Sequence, residues 1–551
     1  MIDTVDAVVV GSGINGMVAA AELSRAGWSV ALVERNPSIG GFVASGELTA
    51  PGFTHDQFSS WHPLFVTGGA YAELGDELHA HGLEYRNCES FVTGTVRPDG
   101  SVVLAHRDPQ VTVEAFADPR DRSTYLQALS RLQDDLPALG ALLGGELYSL
   151  ASLRPVARLA RSGGAGGLRR RLREVATSGR AWCRENFHGD EVDALWAPWL
   201  LHAGLSPDNA SGATMLPLFA ATIHAAGLPT VAGGADRFVN AFRALLSDHG
   251  ALILEGEPAE RVLVESGRAV GVATSQRSLR ARRAVLMSVS PGALYNELLP
   301  ERSAPASARK AATRYRPGRA AMQIHVALSS PPQWTDPRLS DVPLLHLTDG
   351  SASTGIACAE AEAGLLPRRA TVVVGQHSAI DSTRAPKGAA TLWIQLQELP
   401  AKPRADAAGE LDVDGRWTRE LADAYADRVL QRIAEHAPGL QAQVAGTHVL
   451  TPADLEAYNP NAIAGDPYGG AGDLDQSFLW RPFPEAAQHR TVVDGLWHIG
   501  AATHPGPGLA GASGHLVAQG LLAPSVSSRA AAKVRSIRPA RSASDSVDGR
   551  R

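Results

Sequence analysis

A glycine-rich turn near the first residue, Gly11-Ser-Gly13-Ile-Asn-Gly16, restricts the fold of this chain more than any other segment. The apolar run at residues 5–10 before the turn indicates a buried strand, and residues 17–25 after it indicate a helix. A second apolar run at residues 30–33 completes a strand-helix-strand unit. Glycines in such a turn let the backbone approach a pyrophosphate, and the first N–H groups of the helix attract its negative charge.

An acid also stands where such a unit needs one. Glu34 ends the second apolar run, 23 residues after Gly11. A carboxylate at this position accepts hydrogen bonds from the ribose hydroxyls of an adenine dinucleotide, and its charge repels a 2′-phosphate. The sequence therefore predicts an α/β chain with a Rossmann-like domain. We expect this domain to bind an adenine dinucleotide that has no 2′-phosphate.

Composition narrows the classes of function. The chain has 51 Lys and Arg against 57 Asp and Glu, a formal charge of −6, which argues against a nucleic-acid partner because such proteins need a basic surface. The three cysteines, Cys88, Cys183 and Cys358, form no Cys-x-x-Cys pair, so thiol–disulfide chemistry is not expected. No His-Glu-x-x-His or similar ligand spacing occurs, so no metal site is predicted.

Targeting signals are weak. The first six residues carry acids where a signal peptide carries bases, and no uncharged apolar run of about 18 residues occurs, so we expect a cytoplasmic chain. Residues 154–184 are rich in arginine. They favour either peripheral contact with anionic lipid or a solvated helical face, and charge runs more often face water. The Ser-, Ala- and Arg-rich tail at 526–551 is predicted to be disordered.

The segment after Glu34 extends the pattern, because the pair Gly40-Gly41 follows six residues later. From the turn to this pair, the sequence resembles flavoprotein oxidoreductases of the phytoene desaturase and amine oxidase type. The resemblance continues through residues 51–63, 256–272 and 465–514. The sequence most resembles the bacterial phytoene dehydrogenase-related branch of these flavoproteins. That branch includes an animal mitochondrial flavoprotein named for a pyridine nucleotide-disulfide oxidoreductase domain. The resemblance implies FAD as the cofactor.

The same resemblance implies which residues contact the cofactor. In the family, a strand beginning near Ala259 lies beside the adenine, and the C-terminal segment returns to cover the flavin. The residues assigned to FAD in this way are Gly11, Ser12, Gly13, Asn15, Gly16, Glu34, Arg35, Gly40, Gly41, Ala259, Gly500, Ala501, Gly511 and Ala512. Pro507 interrupts the glycine run that carotenoid desaturases carry in this last segment, which argues against a carotenoid substrate.

The expected architecture has two domains. A Rossmann-like FAD-binding domain is predicted from three separate stretches, 1–75, 230–295 and 490–525. A substrate domain of mixed sheet and helices is predicted from 76–229 and 296–489. The flavin is expected at the interface between them, where ligand cavities commonly form.

Candidate catalytic residues are few, because a flavin carries its own reactive centre and needs at most one base from the protein. Histidine suits that task near neutral pH. His504 is the candidate catalytic base, since the resemblance places its loop beside the flavin; the alternative is a histidine that orders the loop through a backbone bond. Other candidate bases are His55, His62, His202 and His224. Candidate substrate-lining residues are His62, Tyr468, Asp475 and Arg481.

The predicted reaction follows from the single dinucleotide unit. With no second unit for NAD(P)H, the substrate itself is expected to reduce the flavin. Our main hypothesis is an FAD-dependent dehydrogenase or desaturase that removes a hydride from a small or lipophilic organic substrate, with oxygen, a quinone or another carrier as the final acceptor. Two alternatives are an amine oxidase-like flavoenzyme that forms an imine and a flavin-binding interaction protein without turnover.

Overall fold

The computed structural model of the chain describes residues 2–162 and 164–523, so the tail predicted at 526–551 lies outside the described residues. The strands are β1 (Ile2–Val10), β2 (Val30–Val33), β3 (Ser45–Glu47), β4 (Thr54–Asp56), β5 (Tyr85–Arg86), β6 (Phe91–Val96), β7 (Val102–His106), β8 (Thr230–Val231), β9 (Leu252–Leu254), β10 (Ala259–Glu265), β11 (Arg268–Thr274), β12 (Ser278–Met287), β13 (Ala320–Leu328), β14 (Leu344–Leu347), β15 (Leu365–Leu366), β16 (Val372–Gly375), β17 (Ala390–Leu399), β18 (Ala405–Asp406), β19 (Val444–Leu450) and β20 (Leu496–His498).

The α-helices lie between and after these strands. They are α1 (Ile14–Arg25), α2 (Pro63–Val66), α3 (Gly69–Ala80), α4 (Pro109–Glu114), α5 (Pro119–Leu143), α6 (Leu153–Arg161), α7 (Gly167–Ala176), α8 (Gly179–Asn186), α9 (Glu191–Trp196), α10 (Gly212–Ala226), α11 (Asp236–Asp248), α12 (Ala306–Thr313), α13 (Gly350–Glu362), α14 (His377–Ile380), α15 (Arg419–Ala434), α16 (Leu440–Gln443), α17 (Pro452–Tyr458) and α18 (Ala512–Leu522).

The first sheet has the strand order β10-β11-β12-β1-β2-β9, and β20 pairs with the end of β12. Strands β1, β2, β9, β12 and β20 run parallel to one another. The hairpin β10–β11 joins β12 in antiparallel register. This parallel arrangement brings the carboxyl ends of β1, β2 and β12 to one edge of the sheet, where ligands bind in open α/β sheets.

Strand β1 is buried on both faces, which explains its nearly continuous run of apolar residues. Ala7 and Val9 pack into a core built with helices α1, α11 and α18. Val8 and Val10 point the other way, into a core that includes Val262 of the β10–β11 hairpin. Successive strand residues face opposite sides, so one β-branched segment serves both cores.

The second sheet has the order β19-β13-β17-β16-β14-β6-β7 and is antiparallel except where β14 pairs with β6. Strand β17 shows how its two faces differ. Leu392, Ile394 and Leu396 join an apolar core that helix α15 covers. Trp393 faces the opposite side, into another core. Residues on that opposite face of β17 are therefore available to line a space between the two sheets.

The α/β fold class predicted from the sequence is confirmed. The first sheet takes its strands from residues 2–33, 252–287 and 496–498, and the second from residues 91–106, 320–399 and 444–450. The domain boundaries themselves stay a prediction. Among the described residues, none of the helices combines the length and apolar character required to cross a bilayer.

Candidate active site

A cavity of ≈ 490 Å³ lies between the two sheets, and residues from both line it. Its wall on the first sheet includes the glycine turn and the carboxyl ends of β1 and β2 at Val10 and Val33. Its opposite wall includes Trp393, on β17. The cavity thus spans the predicted dinucleotide site and the interface at which we expected the flavin.

The glycine turn has the tight geometry that its sequence predicts. Gly11 has a φ of +88°, a conformation that favours glycine. A Cβ on Gly16 would stand 1.9 Å from the carbonyl oxygen of Gly11, so no side chain fits there. Helix α1 begins at Ile14 directly after the turn. Its first N–H groups have no carbonyl partners within the helix and are available to an anion.

Glu34 lies at the end of β2 and lines the cavity. Its Oε2 accepts hydrogen bonds from the N–H and the hydroxyl of Ser12, and its Oε1 accepts one from the N–H of Asn36. A carboxylate has about four acceptor positions. Glu34 therefore ties the strand end to the turn and keeps the capacity to accept a ribose hydroxyl.

The C-terminal segment returns to the first domain as expected. Gly500 and Ala501 follow β20 and line the cavity. Helix α18 then packs on α1. The two helices approach so closely that a Cβ on Gly514 would stand 1.9 Å from the carbonyl oxygen of Asn15, whose Oδ1 accepts a hydrogen bond from the N–H of Gly514 at 3.2 Å. The N-termini of both helices thus lie side by side.

The remaining predicted cofactor residues divide into two groups. The first group lines the cavity and consists of Arg35, Gly40, Gly41 and Ala259, together with Ser12, Gly13 and Asn15 of the turn. The second group lies next to the cavity but does not line it. Gly16 contacts Gly11 of the turn, and helix α18 begins at Ala512, directly after Gly511. The turn, the acid, the glycine pair and the two helix N-termini together fit the diphosphate and ribose of FAD.

The wall opposite the glycine turn consists largely of aromatic side chains, which our sequence analysis missed. Its large apolar members are Trp61, Trp199, Phe219, Ile223, Leu228 and Trp393. Two amides, Gln395 and Gln397, follow Trp393 at alternate positions of β17 and also line the cavity. That alternation of Trp, Gln and Gln within an otherwise apolar strand is the signal that could have identified them.

His202 is the one candidate base among those we considered that lines the cavity. Its ring stacks on Trp199 with centroids 4.6 Å apart, and its Nε2 lies 3.1 Å from Nε2 of His346. Burial lowers the pKa of His202 to about 3, and burial also lowers the pKa of His346. Both rings are therefore neutral near pH 7, and one N–H is shared across the pair.

His504 does not line the cavity, so its assignment as the catalytic base stays a prediction. Its Nε2 hydrogen-bonds the carbonyl oxygen of Leu142, 2.9 Å away on helix α5. Burial lowers the pKa of His504 to about 4. A buried neutral ring prefers such a carbonyl partner to an apolar cavity. The structure therefore supports our alternative interpretation, a histidine that orders its loop through a backbone bond.

Three of the four predicted substrate-lining residues also lie elsewhere. His62 packs against Phe238 of helix α11, and its Nδ1 lies 2.9 Å from the hydroxyl of Tyr85. Asp475 is exposed and pairs with Arg316 at 2.8 Å. Arg481 is buried, and its guanidinium donates to the carbonyl oxygens of residues 468 and 501. A charged side chain next to backbone carbonyls satisfies them locally instead of entering an apolar cavity.

Tyr468 does line the cavity, as predicted. Its hydroxyl accepts a hydrogen bond of 2.6 Å from Nε2 of Gln397. Burial raises the pKa of Tyr468, so the hydroxyl stays protonated and keeps a hydrogen to donate. The pair is one of the polar groups that line the cavity.

Beneath the cavity lies a buried ion pair that the sequence did not reveal. The guanidinium of Arg384 donates to both carboxylate oxygens of Asp56, at 2.8 and 3.2 Å, and both side chains are fully buried. Ser60, which lines the cavity, hydrogen-bonds both Asp56 and His377. The group holds the loop that carries Ser60 and Trp61 against the second sheet, so it positions part of the cavity wall.

One group of possible metal ligands occurs among the described residues, outside the cavity. Ligand atoms of Asp118, Asp121 and His188 lie within 4.8 Å of one another. Asp118 caps helix α5 through the N–H of Arg120, and Asp121 accepts hydrogen bonds from the N–H groups of residues 188 and 189. These bonds give both carboxylates a structural role, because they cap helix α5 and tie residues 188–189 to it.

Comparison with known proteins agrees with this geometry. Residues 14–374 match the family described as flavin containing amine oxidoreductase. The pyridine nucleotide-disulfide oxidoreductase domain-containing protein 2 of Rattus norvegicus is 28% identical over 548 residues, 92% of this chain and 92% of that protein. Phytoene dehydrogenase of Streptomyces griseus is 26% identical over 94% of this chain and 95% of its own length. A solved oxidoreductase of Methanosarcina mazei shares the fold, with a TM-score of 0.60 and 16% identity over 94% of this chain and 99% of that one.

These matches confirm the resemblance inferred from the sequence and the expectation of FAD. The protein is an FAD-dependent oxidoreductase. Because the family match extends over more than half of its residues, the chain belongs to the family of flavin-containing amine oxidoreductases.

Proposed function

We propose that the chain is a dehydrogenase that removes a hydride from an uncharged, apolar organic substrate held in the cavity between the two sheets. The observation that carries this proposal is the wall opposite the glycine turn, where three tryptophans, a phenylalanine and two branched aliphatic side chains line the cavity. Such a wall gains free energy by removing an apolar substrate from water, at roughly 25 cal/mol per Å² of apolar surface buried.

The neutrality of the histidines supports the same substrate class. With the pKa of His202 at about 3, its ring carries no charge at pH 7. His346, bonded to it, is neutral for the same reason. Because the His202–His346 pair is uncharged, it places no cation next to Trp199. A cation there would retain water in the cavity.

Bound FAD supplies the hydride acceptor. The chain supplies position and exclusion of water. Trp199 and Trp393 offer flat apolar faces against which a substrate can pack. Gln395 and the bonded pair Gln397–Tyr468 provide the polar contacts that can orient a hydroxyl or carbonyl group if the substrate has one.

Anaerobic reduction of the purified holoprotein tests the proposal. Cyclic and linear unsaturated hydrocarbons, simple alcohols and primary amines are each mixed with the protein, and the visible flavin absorbance is followed. We expect bleaching by members of the apolar set. Bleaching by amines alone would contradict the proposal in favour of imine formation, and a flavin that no class reduces would favour a binding protein without turnover.

A pair of variants locates the substrate. Trp393→Phe alters the cavity wall, whereas Trp417→Phe alters a tryptophan packed against the second-sheet core, on the side of α15. We expect Trp393→Phe to raise the substrate concentration for half-maximal reduction by about threefold to tenfold, because a smaller ring buries less apolar surface. Trp417→Phe should leave it unchanged. Equal effects of the two substitutions would place the substrate elsewhere.

A further inference from the structure

Most of the exposed large apolar side chains gather in one part of the molecule. Fifteen such side chains occur among the described residues, and eleven of them belong to residues 136–172 or 478–480. The most exposed of these eleven are Leu150 at 86%, Leu172 at 63% and Leu153 at 61%. Single exposed leucines are ordinary, but a concentration of them marks an interaction site.

Contacts between the elements make this concentration continuous. Helix α5 packs on α6, and α6 packs on α7. The hydroxyl of Tyr148 donates a hydrogen bond of 2.5 Å to the carbonyl oxygen of Leu479. This bond joins the segment before α6 to residues 478–480, where Trp480 is 40% exposed. We call residues 148–162, 164–173 and 478–480 together the apolar-basic surface.

The charge of this surface is opposite to that of the chain. Helices α6 and α7 contain seven arginines and one acid, Glu174, a sum of +6, whereas the whole chain carries −6. Some of the charge is neutralised locally, since Arg171 pairs with Asp135 and Glu174, and Arg173 pairs with Glu185. The side chains of Arg154, Arg161 and Arg169 are exposed.

We propose that the apolar-basic surface docks the protein on an anionic lipid membrane. Leucines stand beside arginines along the same two short helices, the pattern of helices that lie in the plane of a bilayer interface. The arginines would contact lipid phosphates, at about 1 kcal/mol for each one near the surface. The leucines would enter the acyl boundary, and Tyr148 and Trp480 have the amphipathic rings typical of interfacial anchors.

The surface also adjoins the cavity. Helix α7 packs on α10, and α10 supplies Phe219, Thr222 and Ile223 to the cavity wall. Docking would therefore bring the apolar part of the cavity close to the bilayer, where apolar substrates concentrate. Docking itself does not depend on the identity of the substrate, and it is tested without turnover.

Co-sedimentation of the full-length holoprotein with lipid vesicles is the test. Vesicles of phosphatidylcholine with phosphatidylglycerol are compared with vesicles of phosphatidylcholine alone, at low and at high salt. We expect binding to the anionic vesicles, weakened by salt because the phosphate contacts are screened. Protein that stays in the supernatant at low salt overturns the proposal and leaves an acidic protein partner as the occupant. Equal binding to both vesicles overturns the requirement for anionic lipid.

Two variants assign the binding to this surface. Leu153→Ser/Leu172→Ser removes apolar anchors, and Arg154→Glu/Arg169→Glu reverses two charges. Each should weaken binding about tenfold or more. The matched control, Val492→Ser/Arg261→Glu, changes an exposed valine and an exposed arginine outside the surface and should bind as the wild type does. Equal loss in the control, or none in the surface variants with their flavin spectra intact, would overturn the assignment.

Discussion

Glu34 accepts two hydrogen bonds from Ser12, one from the backbone N–H at 3.0 Å and one from the hydroxyl at 2.6 Å. The two residues lie 22 positions apart, at the end of β2 and within the glycine turn. The hydroxyl of Ser12 in turn accepts the N–H of Gly40 at 3.2 Å. One carboxylate and one hydroxyl therefore join the turn, the strand end and the glycine pair, the three segments that border the dinucleotide site.

Removing that carboxylate should weaken FAD binding. In Glu34→Ala, the N–H and the hydroxyl of Ser12 lose their shared acceptor and the ribose loses its partner, each a loss of about 1–3 kcal/mol. We expect the dissociation constant of FAD to rise by tenfold to a thousandfold, measured by fluorescence titration of the apoprotein. Glu260→Ala, an exposed carboxylate on β10, is the control and should bind FAD normally. An unchanged constant in Glu34→Ala would remove this residue from the site.

The glycine turn gives a steric prediction. Gly16→Ala places a Cβ 1.9 Å from the carbonyl oxygen of Gly11, so the turn has to open. We expect the variant to be isolated without FAD, or unfolded. Gly520→Ala is the matched control, because a Cβ there meets nothing within 4 Å and helix interiors favour alanine by about 1 kcal/mol. Wild-type FAD content in Gly16→Ala would contradict the close approach.

The segments that form the dinucleotide site were predictable because their sequence signals are local. The turn, the helix after it and Glu34 lie within about 30 residues, and their residue types are dictated by backbone conformation and by the needs of a phosphate. The aromatic wall was not predictable, since Trp61, Trp199 and Trp393 are adjacent only once the second sheet has formed. Only Trp393 has a local signal, the alternation with Gln395 and Gln397 on β17. The residues next to Trp61 and Trp199 in the sequence do not distinguish a cavity from a core.

The placement of His504 outside the cavity was not predictable for a related reason. The sequence resemblance places its loop near the flavin, but the direction of one side chain depends on its nearest partner. Here that partner is the carbonyl oxygen of Leu142, 362 residues away in the sequence. Long-range pairs of this kind, such as Asp56 with Arg384, produce no recognisable spacing in the sequence. Each residue type is common elsewhere in the chain, so neither partner identifies the other.

The position of His504 leads to a kinetic prediction. His504→Gln should leave the rate constant for flavin reduction by substrate within about threefold of wild type, because the side chain is bonded to backbone outside the cavity. Loss of a catalytic base would lower the rate by about 10²–10⁴. Stopped-flow absorbance of the FAD-loaded variant measures this directly. A hundredfold loss at unchanged FAD content would restore His504 as the base.

The buried pair beneath the cavity predicts a large loss of stability. Arg384→Met leaves Asp56 buried without its partner, which should lower the free energy of unfolding by about 3–5 kcal/mol. Arg416→Met, which removes an exposed pair with Asp414, should leave the thermal midpoint unchanged. Differential scanning of the holoproteins compares the two. Equal midpoints would mean that the Asp56–Arg384 contact contributes nothing measurable.

The same pair predicts how stability depends on pH. Burial alone would raise the pKa of the Asp56 carboxyl, but Arg384 and His377 hold that pKa at about 2, below the ordinary value of about 3.9. A carboxyl with a lowered pKa stabilises the fold above its unfolded pKa, and this contribution is lost as the pH falls from about 4 to about 2. The difference in unfolding free energy between wild type and Asp56→Asn should therefore shrink over that interval. A difference that stays constant would contradict the ion pair.

We infer that this chain holds FAD between its two sheets, and the absorbance spectrum of the purified protein is the decisive measurement. We expect a yellow protein that carries one FAD per chain, released and quantified on denaturation. Gly16→Ala, purified in parallel, should lack that flavin. A colourless wild-type protein that takes up no FAD when the cofactor is added to the folded chain would overturn this inference.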